Sequence, residues 1–115
     1  MRKVIAVDFD DTLFTDDYPF VGDPIIRVIE AVKEEQKRGS KIILWTLRCG
    51  LPLERAVKAC AQYGIHFDAV NENIPEVIAR WRGEDSRKIY ADEYWDDRAI
   101  NVSAIAFREK ETVEY

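Results

Sequence analysis

Three carboxylates follow directly on an apolar run near the start of the chain, in the stretch KVIAVDFDDTLF at residues 3–14. They belong to Asp8, Asp10 and Asp11, and carboxylates a few ångströms apart repel one another. A positive partner must offset that repulsion. Mg²⁺ can be this partner, because this hard cation binds one or two carboxylates and completes its octahedral coordination with water and phosphate oxygens. The stretch therefore indicates phosphoryl chemistry at a magnesium site.

More polar residues follow two later apolar runs, KIILW at 41–45 and IYADEYW at 89–95. In an open parallel sheet the ligand site lies beyond the carboxyl ends of the strands, so segments far apart in sequence meet at one edge. The residues expected to converge there are Asp8, Asp10, Thr46, Arg48, Asp96 and Asp97.

The spacing of these residues suggests a division of labour. Asp8 and Asp10 are two apart at a strand end and leave it on similar sides, so both can face a phosphorus, one attacking and the other handling protons. Thr46 offers a hydroxyl and Lys88 an ammonium, the kinds of donor that hold equatorial phosphate oxygens. Arg48 has two interpretations, since it either grips a phosphate bidentately or pairs with a surface carboxylate.

The elements that must position these side chains alternate between short Val- and Ile-rich runs and helical patterns, which is typical of βα units winding a parallel sheet. A helix is predicted from Pro24 with Asp23 as its N-cap, a second follows Pro52, and a third covers about 75–82. The pattern predicts a single Rossmann-like, three-layer α/β domain over 1–115. Its mainly parallel, five-stranded sheet is predicted from strands at 3–7, 41–45, 67–70, 89–95 and 104–107.

Four of these motifs resemble the signature motifs of the haloacid dehalogenase superfamily: DFDDT, the Thr46 of ILWT, Lys88, and the DD of YWDDR. The last is similar to the fourth motif of the deoxyribonucleotidase-like branch. The resemblance implies that Asp8 is a nucleophile forming an aspartyl-phosphate, Asp10 the general acid and base, Thr46 a phosphate-binding hydroxyl and Lys88 the stabilising cation. It also implies a Mg²⁺ site drawing on Asp8, Asp10, Asp96 and Asp97, in which the main-chain carbonyl of Asp10 takes part.

The chain departs from that pattern in two ways. Lys88 precedes Asp96 by only eight residues, which puts its reach to the phosphate in doubt. Neither usual insertion position holds a cap domain, so an open pocket is expected. Its cover would be the segment FTDDYPFVG at 14–22, where Gly22 offers a hinge and Tyr18 and Phe20 offer apolar surface, or a second copy of the chain in a homo-oligomer, or the substrate itself, a small or macromolecular phosphoester.

Charge, cysteine spacing and apolar content disfavour several other functions. A net charge of −5 and a pI near 4.9 disfavour non-specific nucleic-acid and anionic-membrane binding. Cys49 and Cys60 have neither a CxxC spacing nor His partners for zinc, and Cys60 falls on an apolar helix face. Without an apolar run of about 20 residues, a cytoplasmic protein is expected.

Two other functions stay open alongside a phosphohydrolase. A receiver-type signalling domain also uses an acidic Mg²⁺ pocket, but its phosphorylated aspartate follows the middle strand, where this sequence offers only Asp68. A catalytically idle metal- or phosphate-binding protein would retain the same carboxylates.

Overall fold

The computed structural model describes residues 2–106, which form six strands, three α-helices and one short 3₁₀ turn. The strands are β1 (Val4–Val7), β2 (Phe14–Asp17), β3 (Phe20–Pro24), β4 (Lys41–Leu44), β5 (Ala69–Val70) and β6 (Glu93–Trp95). The helices are α1 (Ile26–Lys37), α2 (Gly50–Gln62) and α3 (Pro75–Arg80), and the 3₁₀ turn is Val102–Ala104.

Four of the strands build a parallel sheet in the order β5–β4–β1–β6. The chain moves from β1 to β4 and β5 on one side, then returns to add β6 on the other side of β1. The strand order therefore reverses at β1, and this is where open parallel sheets form a ligand crevice at their carboxyl edge.

Alternate side chains of β1 feed two separate apolar clusters, one on each face of the sheet. Ile5 and Val7 pack with residues of α1 and α2, including the fully buried Cys60. Val4 and Ala6 pack with α3 and the segment before β6. Burial of each large aliphatic side chain contributes roughly 1.5–3 kcal/mol, so helices on both faces hold β1 rigidly at the centre.

The predicted fifth strand of the main sheet is wrong within the described residues. Ala104 ends the 3₁₀ turn, and Phe107 lies outside the residues that the structure describes. The side chain of Asn101 accepts a hydrogen bond from the N–H of Ser103 at 2.9 Å and starts a turn, and Ile105 stays 51% exposed. A local side-chain cap thus replaces the burial that a strand would need.

The segment 14–22, expected as a possible cover of the pocket, forms most of the antiparallel hairpin β2–β3. Asp23 and Pro24 extend β3, so α1 begins at Ile26 and has no side-chain N-cap. Gly22 does not act through a left-handed backbone. A Cβ there would lie 2.2 Å from the carbonyl oxygen of Thr15, so glycine permits the close approach of the two hairpin strands.

Across residues 2–106, none of the helices has both the length and the apolar character that a membrane span requires.

Candidate active site

The carboxyl ends of β1 and β6 bring three carboxylates together. Asp8 directly follows β1, and its N–H donates to the carbonyl oxygen of Trp95 at 2.9 Å, which continues the ladder between the two strands. Asp96 and Asp97 come next after Trp95. One carboxylate oxygen from each of Asp8, Asp96 and Asp97 lies within 4.8 Å of the other two. The predicted convergence of strand one with the DD motif is therefore present.

The pKa values of Asp8 and Asp97 in this cluster are shifted in opposite directions. The pKa of Asp8 is raised to about 7, mainly by burial. A hydrogen bond with Asp97 and the negative charges of Asp96 and Asp97 also raise it, and the N–H of Phe9 lowers it. Desolvation also works against the charge of Asp97, but hydrogen bonds from Asp8, Asp96 and Thr12 lower its pKa on balance. In the metal-free cluster a proton therefore favours Asp8 over Asp97.

Thr12 is a site residue that the sequence interpretation missed. Its hydroxyl oxygen lies 3.4 Å from carboxylate oxygens of both Asp8 and Asp97, and it accepts a hydrogen bond from the N–H of Asp97 at 3.1 Å. Thr12 is buried, with 7% exposure. One hydroxyl thus ties the end of β1 to the end of β6. The available signal is the Thr of the DFDDT motif, four residues after Asp8.

Asp10 does not join the cluster of Asp8, Asp96 and Asp97. Its two carboxylate oxygens accept from Arg48, at 3.0 Å from Nε and 2.7 Å from Nη2. This is a bidentate ion pair, the geometry in which a guanidinium holds a carboxylate most firmly. Asp8, Asp96 and Asp97 therefore lie together, whereas the side chain of Asp10, the fourth predicted metal ligand, is paired with Arg48.

Arg48 is 2% exposed and its guanidinium is fully occupied by protein acceptors. Besides Asp10, the carbonyl oxygens of Pro19, Phe20 and Pro52 accept from its terminal nitrogens at 3.4, 2.7 and 3.1 Å. Five N–H groups thus meet five acceptors. Arg48 pairs with a carboxylate, but this carboxylate is the site residue Asp10 and the guanidinium is buried, so the expected surface ion pair is wrong. A contact to phosphate would require one of these bonds to break.

Thr46 lies beside the cluster at the end of β4. Trp45 continues the ladder by donating its N–H to the carbonyl oxygen of Val7 at 2.9 Å, so Thr46 follows at the same sheet edge as Asp8. The Thr46 N–H donates to the side chain of Asn71 at 2.8 Å, and its hydroxyl accepts from the N–H of Arg48 at 3.1 Å. The hydroxyl proton has no acceptor among these contacts and can be donated to a ligand.

These groups line one cavity of about 660 Å³. Six of the seven predicted site residues border it, and Lys88 does not. Lys88 is exposed and lies between α3 and β6. Its contact with a phosphate stays a prediction. Besides the predicted residues, the cavity is lined by Asp11, Asp16, Tyr18, Trp45, Leu47, Asn71 and Arg98.

Together, the sheet order and the acidic site define an α/β protein with a carboxylate-rich crevice at the carboxyl edge of its parallel sheet. A solved structure of a conserved protein from Bacteroides thetaiotaomicron is 37% identical to this chain, with a TM-score of 0.74, over 93% of this chain and 84% of that chain. The chain belongs to the same family as that conserved protein. No protein-family model matches the chain, and no curated protein does.

Proposed function

We propose that the protein is a Mg²⁺-dependent phosphohydrolase that works through a phospho-aspartate on Asp8. The observation that carries this proposal is the approach of Asp8, Asp96 and Asp97 to within 4.8 Å of one another at the carboxyl edge, where the strand order reverses. A structural role alone does not account for such a cluster, since it costs stability through repulsion.

The donor set suits Mg²⁺. All three groups are oxygen ligands, which this cation prefers. Burial and the neighbouring carboxylates raise the pKa of Asp8, an effect that a bound cation would offset. Asp8, Asp96 and Asp97 would hold the ion, together with the main-chain carbonyl of Asp10 that the family resemblance implies. Bound there, the ion would shield the charge of an incoming phosphate from the carboxylates.

The chain's own residues then supply the covalent chemistry. A carboxylate oxygen of Asp8 attacks phosphorus, the bond from phosphorus to the ester oxygen breaks, and the leaving group takes a proton from Asp10. In the second step Asp10 accepts a proton from water, whose oxygen attacks phosphorus. The bond from phosphorus to Asp8 breaks, and phosphate and the free carboxylate result.

Two further groups support this sequence of steps. The hydroxyl of Thr46 lines the same cavity as Asp8 and has its proton free for a phosphate oxygen. Lys88 is assigned the role of stabilising cation by its position in the sequence motif only. The main sheet, with helices on both faces and no cap domain among residues 2–106, is the open core that the resemblance implies.

A receiver-type domain is less well supported. Its acceptor would be Asp68, whose carboxylate accepts from the N–H of Ile42 at 2.8 Å and lies 3.6 Å from the ammonium of Lys41. Both partners stand at the amino end of β4, opposite to the edge that carries Asp8. An acidic pocket and a phosphorylation site would therefore lie at different ends of the sheet.

The test combines turnover with detection of the covalent intermediate. Purified protein is incubated with Mg²⁺ and a panel of aryl phosphates, nucleotides, sugar phosphates and nucleic-acid ends, and phosphate release is measured. Acid quenching during turnover followed by intact-mass analysis should show an adduct of one phosphoryl group on the wild type and none on Asp8→Asn. Mg²⁺ binding without turnover of any substrate would instead indicate an idle binding protein.

A further inference from the structure

Arg48 connects the β2–β3 hairpin to the acid–base carboxylate. Its Nη2 donates at 2.7 Å both to Oδ1 of Asp10 and to the carbonyl oxygen of Phe20. One nitrogen therefore bonds the residue proposed to move protons and the backbone of the hairpin. A shift of the hairpin at Phe20 would therefore strain the hydrogen bond between Arg48 and Asp10.

The rest of the Arg48 environment makes this connection stiff. The guanidinium stacks on the ring of Phe9, with Cζ 4.7 Å from the ring centroid, and lies 5.2 Å from that of Tyr18. Its Nη1 donates to the carbonyl oxygen of Pro52 in the first turn of α2 at 3.1 Å. A buried planar group with every donor used has few alternative orientations.

We infer that Arg48 is a positioning residue that couples the placement of the β2–β3 hairpin to the orientation of Asp10. The inference rests on the proposed function for the proton-transfer role of Asp10, but the coupling itself is a property of the fold. Coupling of this kind is reciprocal, so a change at Asp10 must also change the stability of the hairpin. This reciprocity allows a test that needs no substrate.

Hydrogen exchange of the amides of Tyr18, Phe20 and Val21 measures the hairpin directly. Asp10→Asn and Arg48→Lys should each speed exchange there at least about fivefold, the lower end of the range for coupled sites. Asp10→Asn matters most, because it removes one charge at a side chain whose hydrogen bonds among residues 2–106 go to Arg48, and it disturbs packing less than loss of a buried Arg. Unchanged exchange at these amides in Asp10→Asn would overturn the inference.

Arg55→Lys is the matched control. Arg55 also donates to the carbonyl oxygen of Pro19, at 3.4 Å, and its Cζ lies 5.0 Å from the ring centroid of Phe20, yet it has no contact with Asp10 among the hydrogen bonds of residues 2–106. Its loss should loosen the Pro19 end of the hairpin and leave Asp10 in place, because the bonds from Arg48 to Phe20 and to Asp10 remain. A change in proton-transfer behaviour in Arg55→Lys would show that any loosening of the hairpin is enough and that Arg48 has no special part.

The kinetic arm separates positioning from substrate binding. With aryl phosphates of rising leaving-group pKa, Arg48→Lys and Asp10→Asn should lose more kcat on phenyl phosphate than on 4-nitrophenyl phosphate, because only the poorer leaving group needs a proton. The double variant should be no slower than the slower single variant, as expected for residues in one unit. A rise in KM that is equal for all leaving groups, with kcat kept, would make Arg48 a substrate ligand and contradict the inference.

The two hypotheses fail in different ways. If the wild type hydrolyses no phosphomonoester, the proposed function is lost, and the exchange measurement still decides whether Asp10 and the hairpin are coupled. If turnover proceeds and the double variant shows additive losses, the proposed function stands and the coupling through Arg48 is rejected.

Discussion

Asp8 and Trp95 are joined by a main-chain hydrogen bond of 2.9 Å from the Asp8 N–H to the Trp95 carbonyl. This bond is placed just before the acidic groups on both strands, so the backbone itself brings Asp8 to Asp96 and Asp97. The carboxylates are held together although their charges oppose it. The free energy for their approach comes from the buried strand β1 and its two apolar faces.

Mg²⁺ binding should therefore depend on three carboxylates and not on a fourth. Asp97→Asn and Asp96→Asn are expected to weaken Mg²⁺ binding by at least about tenfold, or roughly 1.4 kcal/mol, as measured by titration calorimetry. Asp10→Asn should retain affinity within a few-fold, because its side chain pairs with Arg48. The exposed hairpin residue Asp17 provides a control of equal charge. Equal losses in Asp17→Asn and Asp97→Asn would mean that only net charge matters.

The nucleophile prediction concerns Asp8→Asn. The amide nearly preserves the shape of the side chain and removes its nucleophilic oxygen, so turnover should fall by at least about a thousandfold while the circular-dichroism spectrum stays the same. Unchanged hydrolysis of 4-nitrophenyl phosphate by the purified variant would sink the assigned mechanism.

Asp8→Asn should also change how the stability of the metal-free protein depends on pH. The folded pKa of Asp8 is about 7 against an ordinary 3.8, so the folded chain binds this proton more tightly than the unfolded chain. Its contribution to stability is full below about pH 4 and is lost as the pH rises through about 7. Asp8→Asn should therefore become more stable than the wild type between pH 5.5 and 8.5, by on the order of 1 kcal/mol after discounting for partial solvent exposure.

Thermal unfolding in the presence of a chelator measures this difference. Added Mg²⁺ should cancel it by stabilising the wild type alone. A difference in melting temperature that stays constant from pH 5.5 to 8.5, or one that shrinks, would contradict the raised pKa.

Thr12 supplies a separate test of how the cluster is held. Thr12→Val keeps the shape of the side chain but leaves the N–H of Asp97 without its acceptor, and should cost about 1–3 kcal/mol of unfolding free energy and weaken Mg²⁺ binding. Thr12→Ser keeps the hydroxyl and should bind Mg²⁺ like the wild type. Weaker Mg²⁺ binding in the Ser variant than in the Val variant would exclude the hydroxyl as the important group.

The parts of the site that follow strand ends could be predicted from the sequence, because a strand end fixes which sheet edge a residue occupies. Asp8, Thr46 and Asp97 all meet this condition. The pairing of Asp10 with Arg48 could not, since the two are 38 residues apart and their orientation depends on where the hairpin backbone offers its carbonyls. Long-range side-chain geometry of this kind leaves no periodic signal.

The fold shows the same limit. The apolar runs of β1 and β4 predict buried central strands, and both are confirmed within one residue at each end. The run 89–95 was expected to be one strand, but Ile89 packs in the cluster with α3, and only Glu93–Trp95 pairs with β1. An apolar side chain predicts burial there, and it does not say whether the backbone also pairs.

Tyr18 and Phe20, the two aromatic residues near the tip of the hairpin, border different surfaces. Tyr18 is 60% exposed and lines the cavity, whereas Phe20 is 57% exposed and borders a separate groove beside α2. Neither is core, so Tyr18→Ala and Phe20→Ala should each change the unfolding free energy by less than about 1 kcal/mol.

Their effects on function should differ. Tyr18→Ala removes apolar surface from the cavity wall and, if the proposed function holds, should change relative kcat/KM among substrates by about fivefold, roughly 1 kcal/mol of transition-state binding, with Tyr18→Phe close to the wild type. Phe20→Ala should leave these substrate ratios unchanged. Light scattering of this variant would show whether the groove beside α2 joins two copies of the chain. If both variants keep every substrate ratio and the mass in solution but lose several degrees of melting temperature, the two rings support the hairpin instead of the site, and closure over the cavity must come from the substrate itself.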